Sequence, residues 1–306
     1  MSCSRKPPHQ LSSEKDYAEL LEKFDTWLFD CDGVLWHGMT LIDGALEVLQ
    51  LLRAKKKKII FVTNNASTSR SNYMKKFNQL GIEAHLDEIF GSAYAAAVYL
   101  SSVVKFPKDK KVFLIGMEGL EEELRNEGIT FVCGTDPKYN SLSPLATPPR
   151  PDPSIGTILC GFDYAINYTK LSAAFVQLDA DPSCLFVVTN EDPTAPSEGG
   201  VLLPAGGAIS APLRYALGKD PVCVGKPSLV MLDCIKAKHE FDPSRTIIAG
   251  DRLSTDILFG KRCELATLLV LTGVNKESDL LPQASPCAIP DFVTQSIGDL
   301  LQAAKI

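Results

Sequence analysis

The sequence predicts an α/β protein in which one parallel sheet lies between helices and is interrupted by an inserted second α/β unit. Three observations predict it. Short apolar runs alternate with segments of helical spacing along most of the chain, the pattern of strand–helix–strand units. Thr63 follows Asp30 by 33 residues, the span of one such unit. Lys226 follows Thr63 by 163 residues, far more than one crossover needs, and that interval carries strands and helices of its own. We therefore expect a core formed by residues 1–104 and 220–306, with the insertion at 105–219. A chain of 306 residues has room for both.

The first strand runs over Thr26–Phe29 and leads into Asp30-Cys31-Asp32-Gly33. Residues two apart on a strand share a face, so the spacing aims both carboxylates at one place if the extended backbone persists. Two acids that close repel unless a cation or a proton lies between them. Gly33 lets the backbone turn and come close to a ligand. The same residues also fit a polar turn after a strand, with Asp32-Gly33 as punctuation.

Upstream, Glu14–Lys23 has helical spacing, and the first dozen residues are expected to be loosely ordered. Downstream, a helix is predicted over 44–53 and a strand over 59–62, ending in Thr63-Asn64-Asn65. Parallel strands joined through a helix carry their ligands at their carboxyl ends, which sets Thr63 beside Asp30. A helix over 69–80, a strand at 88–90 and an Ala-rich helix after Ser92 continue the alternation. After a linker at 106–109, strands are expected over Lys111–Ile115, 129–132, 157–161 and Leu185–Val188, with helices over Glu118–Asn126 and 168–178. Six prolines in the 17 residues 137–153 rule out regular helix or central strand and mark a surface loop. A short strand then ends at Gly225, Lys226 follows, and Pro227 is placed to open a helix. The strand Thr246–Gly250 ends in Asp251, and further strands at 268–271 and 292–293 precede a closing helix near Leu300.

Net charge is -6, which argues against a nucleic-acid footprint. The one basic run, Lys55 to Lys58, suits a solvated helix end. The nine cysteines include no CxxC pair and no Cys/His ligand spacing, so neither zinc nor a disulfide framework is expected. Cys31 reads as a small buried residue. No apolar run approaches a membrane span, and Met1 to Gln10 lacks the apolar stretch of a signal peptide. We expect a cytoplasmic protein.

Four strand ends thus bring Asp30 and Asp32, Thr63, Lys226 and Asp251. Carboxylates, a hydroxyl and a cation are what phosphoryl transfer needs, because its catalysis is chiefly positioning and neutralisation of phosphoryl charge. A carboxylate can take the phosphoryl group covalently, and magnesium, which prefers oxygen ligands, offsets the repulsion between anionic nucleophile and anionic substrate.

The segments Phe29-Asp30-Cys31-Asp32-Gly33-Val34, Val62-Thr63-Asn64-Asn65, Val224-Gly225-Lys226-Pro227 and Gly250-Asp251-Arg252-Leu253-Ser254-Thr255-Asp256, in that order, resemble the four motifs of the haloacid dehalogenase (HAD) superfamily of phosphatases. The insertion resembles that family's α/β C2-type cap on its HAD-like Rossmann-type core. Within the superfamily the chain looks like the 4-nitrophenylphosphatase/phosphoglycolate phosphatase group, which includes pyridoxal phosphate phosphatases. The resemblance covers nearly everything from Phe24 onward. It implies Asp30 as nucleophile and Asp32 as the acid that protonates the leaving alkoxide and then activates water. It implies that Thr63, Lys226 and backbone amides near Gly33, Asn64 and Asn65 hold the phosphoryl oxygens. It implies magnesium on the Asp30 carboxylate, the Asp32 carbonyl and Asp251, with Asp256 supporting the metal or bracing Lys226. Caps of this family often form dimers, so a homodimer through the cap is expected, with a small phosphorylated metabolite as the other partner.

Val187-Val188-Thr189-Asn190 mimics the Thr63 segment, but it falls in the insertion, and we assign the role to Thr63. Asp192 is expected either to touch substrate or to cap a turn, and His37, His85 and His239 to be plain polar residues. The preferred substrate is phosphoglycolate. In pyridoxal phosphate phosphatases the resemblance leads us to expect a ring-contacting aromatic and a His between Asp192-Pro193 and Pro196, where this chain has Thr194-Ala195. A non-catalytic binding protein would be expected to lack one of Asp30, Asp32, Lys226 or Asp251, and none is missing. A folded protein substrate would fit poorly beneath a large cap.

Overall fold

The computed structural model describes residues 7–140, 147–196, 201–280 and 288–305. The chain opens with β1 (His9–Gln10), α1 (Glu14–Lys23), β2 (Thr26–Phe29), the small hairpin β3 (Trp36–His37) and β4 (Thr40–Leu41), and α2 (Ala45–Ala54). It continues through β5 (Lys58–Thr63), α3 (Arg70–Gln79), β6 (Ile89–Gly91) and α4 (Ser92–Val98). The inserted region contributes β7 (Lys111–Ile115), α5 (Glu118–Asn126), β8 (Phe131–Cys133), β9 (Ile155–Cys160), α6 (Tyr168–Ala180) and β10 (Leu185–Val188). The hairpin β11 (Thr194–Pro196) and β12 (Leu202–Pro204), α7 (Gly206–Leu217) and β13 (Val222–Cys223) follow. Last come α8 (Leu229–Lys236), β14 (Thr246–Gly250), α9 (Leu258–Arg262), β15 (Ala266–Val270), β16 (Phe292–Thr294) and a 3-10 segment, Ile297–Lys305.

Seven strands form the main sheet in the order β1-β16-β15-β14-β2-β5-β6, and five form the second in the order β13-β10-β9-β7-β8. Every pairing in both sheets is parallel. The chain leaves β2 for β5 on one side and returns much later to β14 on the other. A crevice opens at the carboxyl end of such a reversal, and Asp30 and Asp251 are the residues that follow β2 and β14.

Alternate strand positions feed different layers, as the two-residue period demands. Trp27, Phe29, Phe61, Ile247 and Ala249 pack under α1, α2 and α3. Leu28, Ile60, Val62 and Ile248 face the other way and join Val112, Leu114, Leu159 and Val187 of the second sheet in one continuous apolar cluster. Helix α4 lies inside that cluster with Ala93, Ala95, Ala96 and Ala97 all buried, which explains its alanines: small side chains are needed where every face is covered. Each fully buried Leu or Phe there contributes about 2 kcal/mol, so the two sheets are fastened by a shared core. Polar staples add to it. Arg70 at the start of α3 donates from its backbone N–H and its Nε to the buried Glu123 of α5, at 2.6 and 3.0 Å.

Several expectations are corrected. His9–Gln10 is not loose but adds a strand beside Phe292 and Val293. The strand before Lys226 does not join the core: Val222 and Cys223 pair with Val187 and Val188 of the second sheet. Pro227 does not open α8; Ser228 caps it, accepting from the Val230 N–H at 3.2 Å. The closing helix near Leu300 is present, as a 3-10 helix. Of the Pro-rich stretch, Pro137–Tyr139 is a 3-10 turn, and residues 141–146 lie outside the described residues. Among the described residues, seven cysteines are free, and no helix is long and apolar enough to cross a membrane.

Candidate active site

Asp30 leaves the sheet at the end of β2, where its N–H still donates to the Ala249 carbonyl at 2.9 Å. Its side chain is 15 % exposed, and one oxygen accepts from Lys226 Nζ at 2.8 Å. Lys226 is 2 % exposed and spends its other donors on Asp256 Oδ1 (2.6 Å) and the Val62 carbonyl (2.7 Å). An ammonium so saturated is a fixed point charge. Burial opposes its charge, but Asp256 and Asp30 outweigh burial, and its pKa is raised.

Asp251, directly after β14, accepts from the Val274 N–H at 2.6 Å through Oδ2. Each of Asp30, Asp251 and Asp256 brings a carboxylate oxygen within 4.8 Å of the other two. Burial and then mutual repulsion make the charged forms expensive. Asp251 is pushed up to about 6, and Asp30 is raised well above the ordinary range despite Lys226. Asp256 has both oxygens engaged, Oδ1 by Lys226 and Oδ2 by the Arg252 N–H at 3.1 Å, so it braces Lys226. Among the described residues, Asp30 Oδ2 and Asp251 Oδ1 accept no hydrogen bond.

The loop 272–275 closes this side of the site and was not singled out in the sequence. Thr272 Oγ1 donates to the Gly33 carbonyl at 2.6 Å, and the Asn275 N–H donates to the Asp251 carbonyl at 3.1 Å. A Cβ on Gly273 would sit 1.9 Å from Asp251 Oδ2, and one on Gly33 would sit 2.7 Å from it. Gly33 also has φ +84°, which favours glycine. The Thr272-Gly273 pair after a strand was the available signal.

Asp32 departs from the expected convergence. It lies outside the close acid group, 48 % exposed, with Oδ1 accepting from Trp36 Nε1 at 2.9 Å and Lys76 Nζ 3.8 Å away over the Trp36 ring. The hairpin β3–β4 that supplies Trp36 sets this placement. His37 on the same hairpin is exposed.

Thr63 is buried at the end of β5. Phe29 pairs with Phe61, which brings Thr63 level with the acids. The expected amide donors are in part already used: the Gly33 N–H donates to the Trp36 carbonyl at 2.8 Å, and the Asn65 N–H to Thr63 Oγ1 at 3.2 Å. The turns close on themselves because buried N–H groups need partners. Asn64 is a bracket: its Oδ1 accepts from the Lys226 N–H (2.8 Å), and its Nδ2 donates to the Lys226 carbonyl (2.9 Å) and to Asp192 Oδ2 (3.1 Å). Asp192 therefore ties the insertion to the core instead of merely capping a turn. Thr189 is buried in the insertion, where Asn190 beside it donates to the Asn64 carbonyl at 2.9 Å. The carboxyl ends of the two sheets thus face each other across the site.

Models of known families match both halves of the core. Residues 27–130 match haloacid dehalogenase-like hydrolases, and residues 223–300 match a HAD-hydrolase-like model. The chain is 45% identical over 298 residues to a 4-nitrophenylphosphatase of Schizosaccharomyces pombe, covering 96% of this chain and 99% of that one. The chain belongs to the haloacid dehalogenase-like hydrolases. It is 42% identical to phosphoglycolate phosphatase 2 of Arabidopsis thaliana, over 96% of this chain and 97% of the relative. It is 40% identical to a glycerol-3-phosphate phosphatase of Rattus norvegicus, over 94% and 92%. The p-nitrophenyl phosphatase structure from Archaeoglobus fulgidus superimposes with a TM-score of 0.78 at 30% identity, covering 92% of this chain and 99% of that one. This HAD protein is accordingly a phosphatase, with a C2-type cap on a HAD-like core.

Proposed function

We propose that this HAD phosphatase hydrolyses small phosphate monoesters through an aspartyl-phosphate on Asp30, with 2-phosphoglycolate the preferred ester and 4-nitrophenyl phosphate also accepted. The observation that carries the reading is the division of the Asp30 carboxylate within its acid cluster with Asp251 and Asp256: one oxygen is held by Lys226, and the other accepts no hydrogen bond among the described residues. In the first step Asp30 attacks phosphorus, the ester P–O bond breaks, and Asp32 gives its proton to the leaving alkoxide. In the second, Asp32 takes a proton from water, the water oxygen attacks phosphorus, and inorganic phosphate and free Asp30 are released. Lys226 orients Asp30 and offsets phosphoryl charge, and Asp256 keeps Lys226 in place. In this reading the Thr63 hydroxyl, at the end of β5, donates to a phosphoryl oxygen.

A cluster of carboxylates with raised pKa values and two uncommitted oxygens suits a hard divalent cation. Asp30, Asp251 and the Asp32 carbonyl would hold magnesium, whose chemistry is to neutralise charge between nucleophile and substrate. Thr194-Ala195 in β11 supports phosphoglycolate over pyridoxal 5′-phosphate. The glycerol-3-phosphate phosphatase relative makes glycerol 3-phosphate the second reading. Turnover of 4-nitrophenyl phosphate, 2-phosphoglycolate, glycerol 3-phosphate and pyridoxal 5′-phosphate at equal concentration, with magnesium and with a chelator, tests it. We expect metal-dependent release of phosphate, fastest from 2-phosphoglycolate, and its loss in Asp30→Asn by more than about a thousandfold. Wild-type-like turnover by that variant would end the proposal.

A further inference from the structure

We propose that Arg252 reads a second anionic group on the substrate, so that the enzyme selects phosphate esters whose leaving group carries a carboxylate. This rests on the phosphatase reading above and adds the residue that sets its selectivity. Arg252 follows Asp251, and its backbone N–H is pinned by Asp256 Oδ2 at 3.1 Å, so its position is fixed by the acid cluster itself. Its guanidinium is 25 % exposed and lies 3.7 Å from Asp192 Oδ1, too far for a hydrogen bond. The contrast with other arginines is direct. Arg53 forks onto Glu88, and Arg214 divides its guanidinium between Glu191 and Asp220. Among the described residues, Arg252 donates no side-chain hydrogen bond, although it is three-quarters enclosed and carries five donors in a plane.

Those donors stand at the margin of the site. Asp192 also binds Asn64, and Asn64 brackets the backbone of Lys226, which holds Asp30. Arg252 therefore stands at the outer end of a run of contacts, Asp192 to Asn64 to Lys226, that leads from the insertion to the reacting carboxylate. A guanidinium with a free planar edge takes a carboxylate bidentately, which an ammonium does not. Of the other cations near the site, Lys226 has its three donors engaged, and Lys76, a point charge without a planar edge, lies over the Trp36 ring 3.8 Å from Asp32. The loose contact with Asp192 keeps Arg252 aimed until a substrate carboxylate replaces it as the closer partner.

The test uses the full chain with magnesium. For wild type, Arg252→Gln and Arg252→Lys, kcat/KM is measured with 2-phosphoglycolate, glycerol 3-phosphate and 4-nitrophenyl phosphate. In Arg252→Gln the preference for 2-phosphoglycolate over either other ester should fall at least about tenfold, chiefly through KM, and Arg252→Lys should restore only part of it. Binding is followed separately by calorimetry with phosphonoacetate and methylphosphonate, which differ by the carboxylate. Wild type should hold phosphonoacetate the more tightly, and the difference should shrink in Arg252→Gln. An equal loss for all three esters, or an unchanged preference, overturns the proposal. A wild-type chain that turns over no ester sinks the phosphatase reading instead, and the two phosphonates then decide Arg252 on their own.

Discussion

Lys226 Nζ lies 2.8 Å from an Asp30 oxygen although 196 residues separate the two in the chain. The contact is made by a lysine that follows a strand of the second sheet, reaching a carboxylate that follows a strand of the first. Its place is held by Asn64, which grips the Lys226 backbone from the end of β5.

Removing that ammonium leaves the buried Asp30 and Asp256 carboxylates facing each other. Lys226→Met should cost about 3–5 kcal/mol of stability, the usual penalty for breaking a buried pair from one side, and lower kcat/KM by more than a hundredfold. Urea denaturation and steady-state kinetics check the two effects. Adding Asp256→Asn should return part of the stability and none of the activity. Full recovery of activity in the double variant would mean that Lys226 acts only through the fold.

Gly273 gives a sharper test of the metal site. Its missing side chain leaves the space that Asp251 occupies, so Gly273→Ala must displace that carboxylate or the 272–275 loop. We expect the magnesium concentration for half-maximal activity to rise at least about tenfold, since geometry close to ideal is demanded by this ion. Magnesium titration of activity measures it, and an unchanged half-maximum would remove Asp251 from the ligand set.

The raised pKa of Asp251 predicts how pH and metal interact. Its folded value, about 6, exceeds the ordinary 3.8, mainly through burial and then through Asp256. A group bound more tightly to its proton in the folded state contributes stability fully below the lower value, and that contribution is lost as pH rises through the upper one. The metal-free protein should therefore lose stability between about pH 4 and 6. Magnesium requires the charged carboxylate and competes with the proton, so the rise in Tm on adding it should grow from about pH 5 to pH 7. Thermal melts with magnesium and with chelator show this directly, and a rise independent of pH would contradict it.

Much of the site was legible because its residues sit where short periodic runs stop. Asp30, Thr63 and Asp251 each mark the carboxyl end of a strand whose apolar pattern is plain, and parallel topology sends such ends to one edge. Asp32 was less legible: spacing predicted that it would converge with Asp30, but the hairpin after it supplies Trp36, whose indole N–H draws the carboxylate aside. Local periodicity gives no warning of a two-residue strand.

By itself the sequence determined the alternation of strands and helices, the insertion, and the identity of the charged residues at the strand ends, because these depend on apolar periodicity and on where it breaks. Only the tertiary structure decided that Val222 and Cys223 belong to the second sheet, that the 272–275 loop wraps Asp251, that the Asn64 side chain holds the Lys226 backbone, and that Arg252 donates no side-chain hydrogen bond among the described residues. Each of these is a choice among hydrogen-bond partners far apart in the chain. Such choices are made by which groups are left needing a partner once the core has closed, a quantity that no single segment carries.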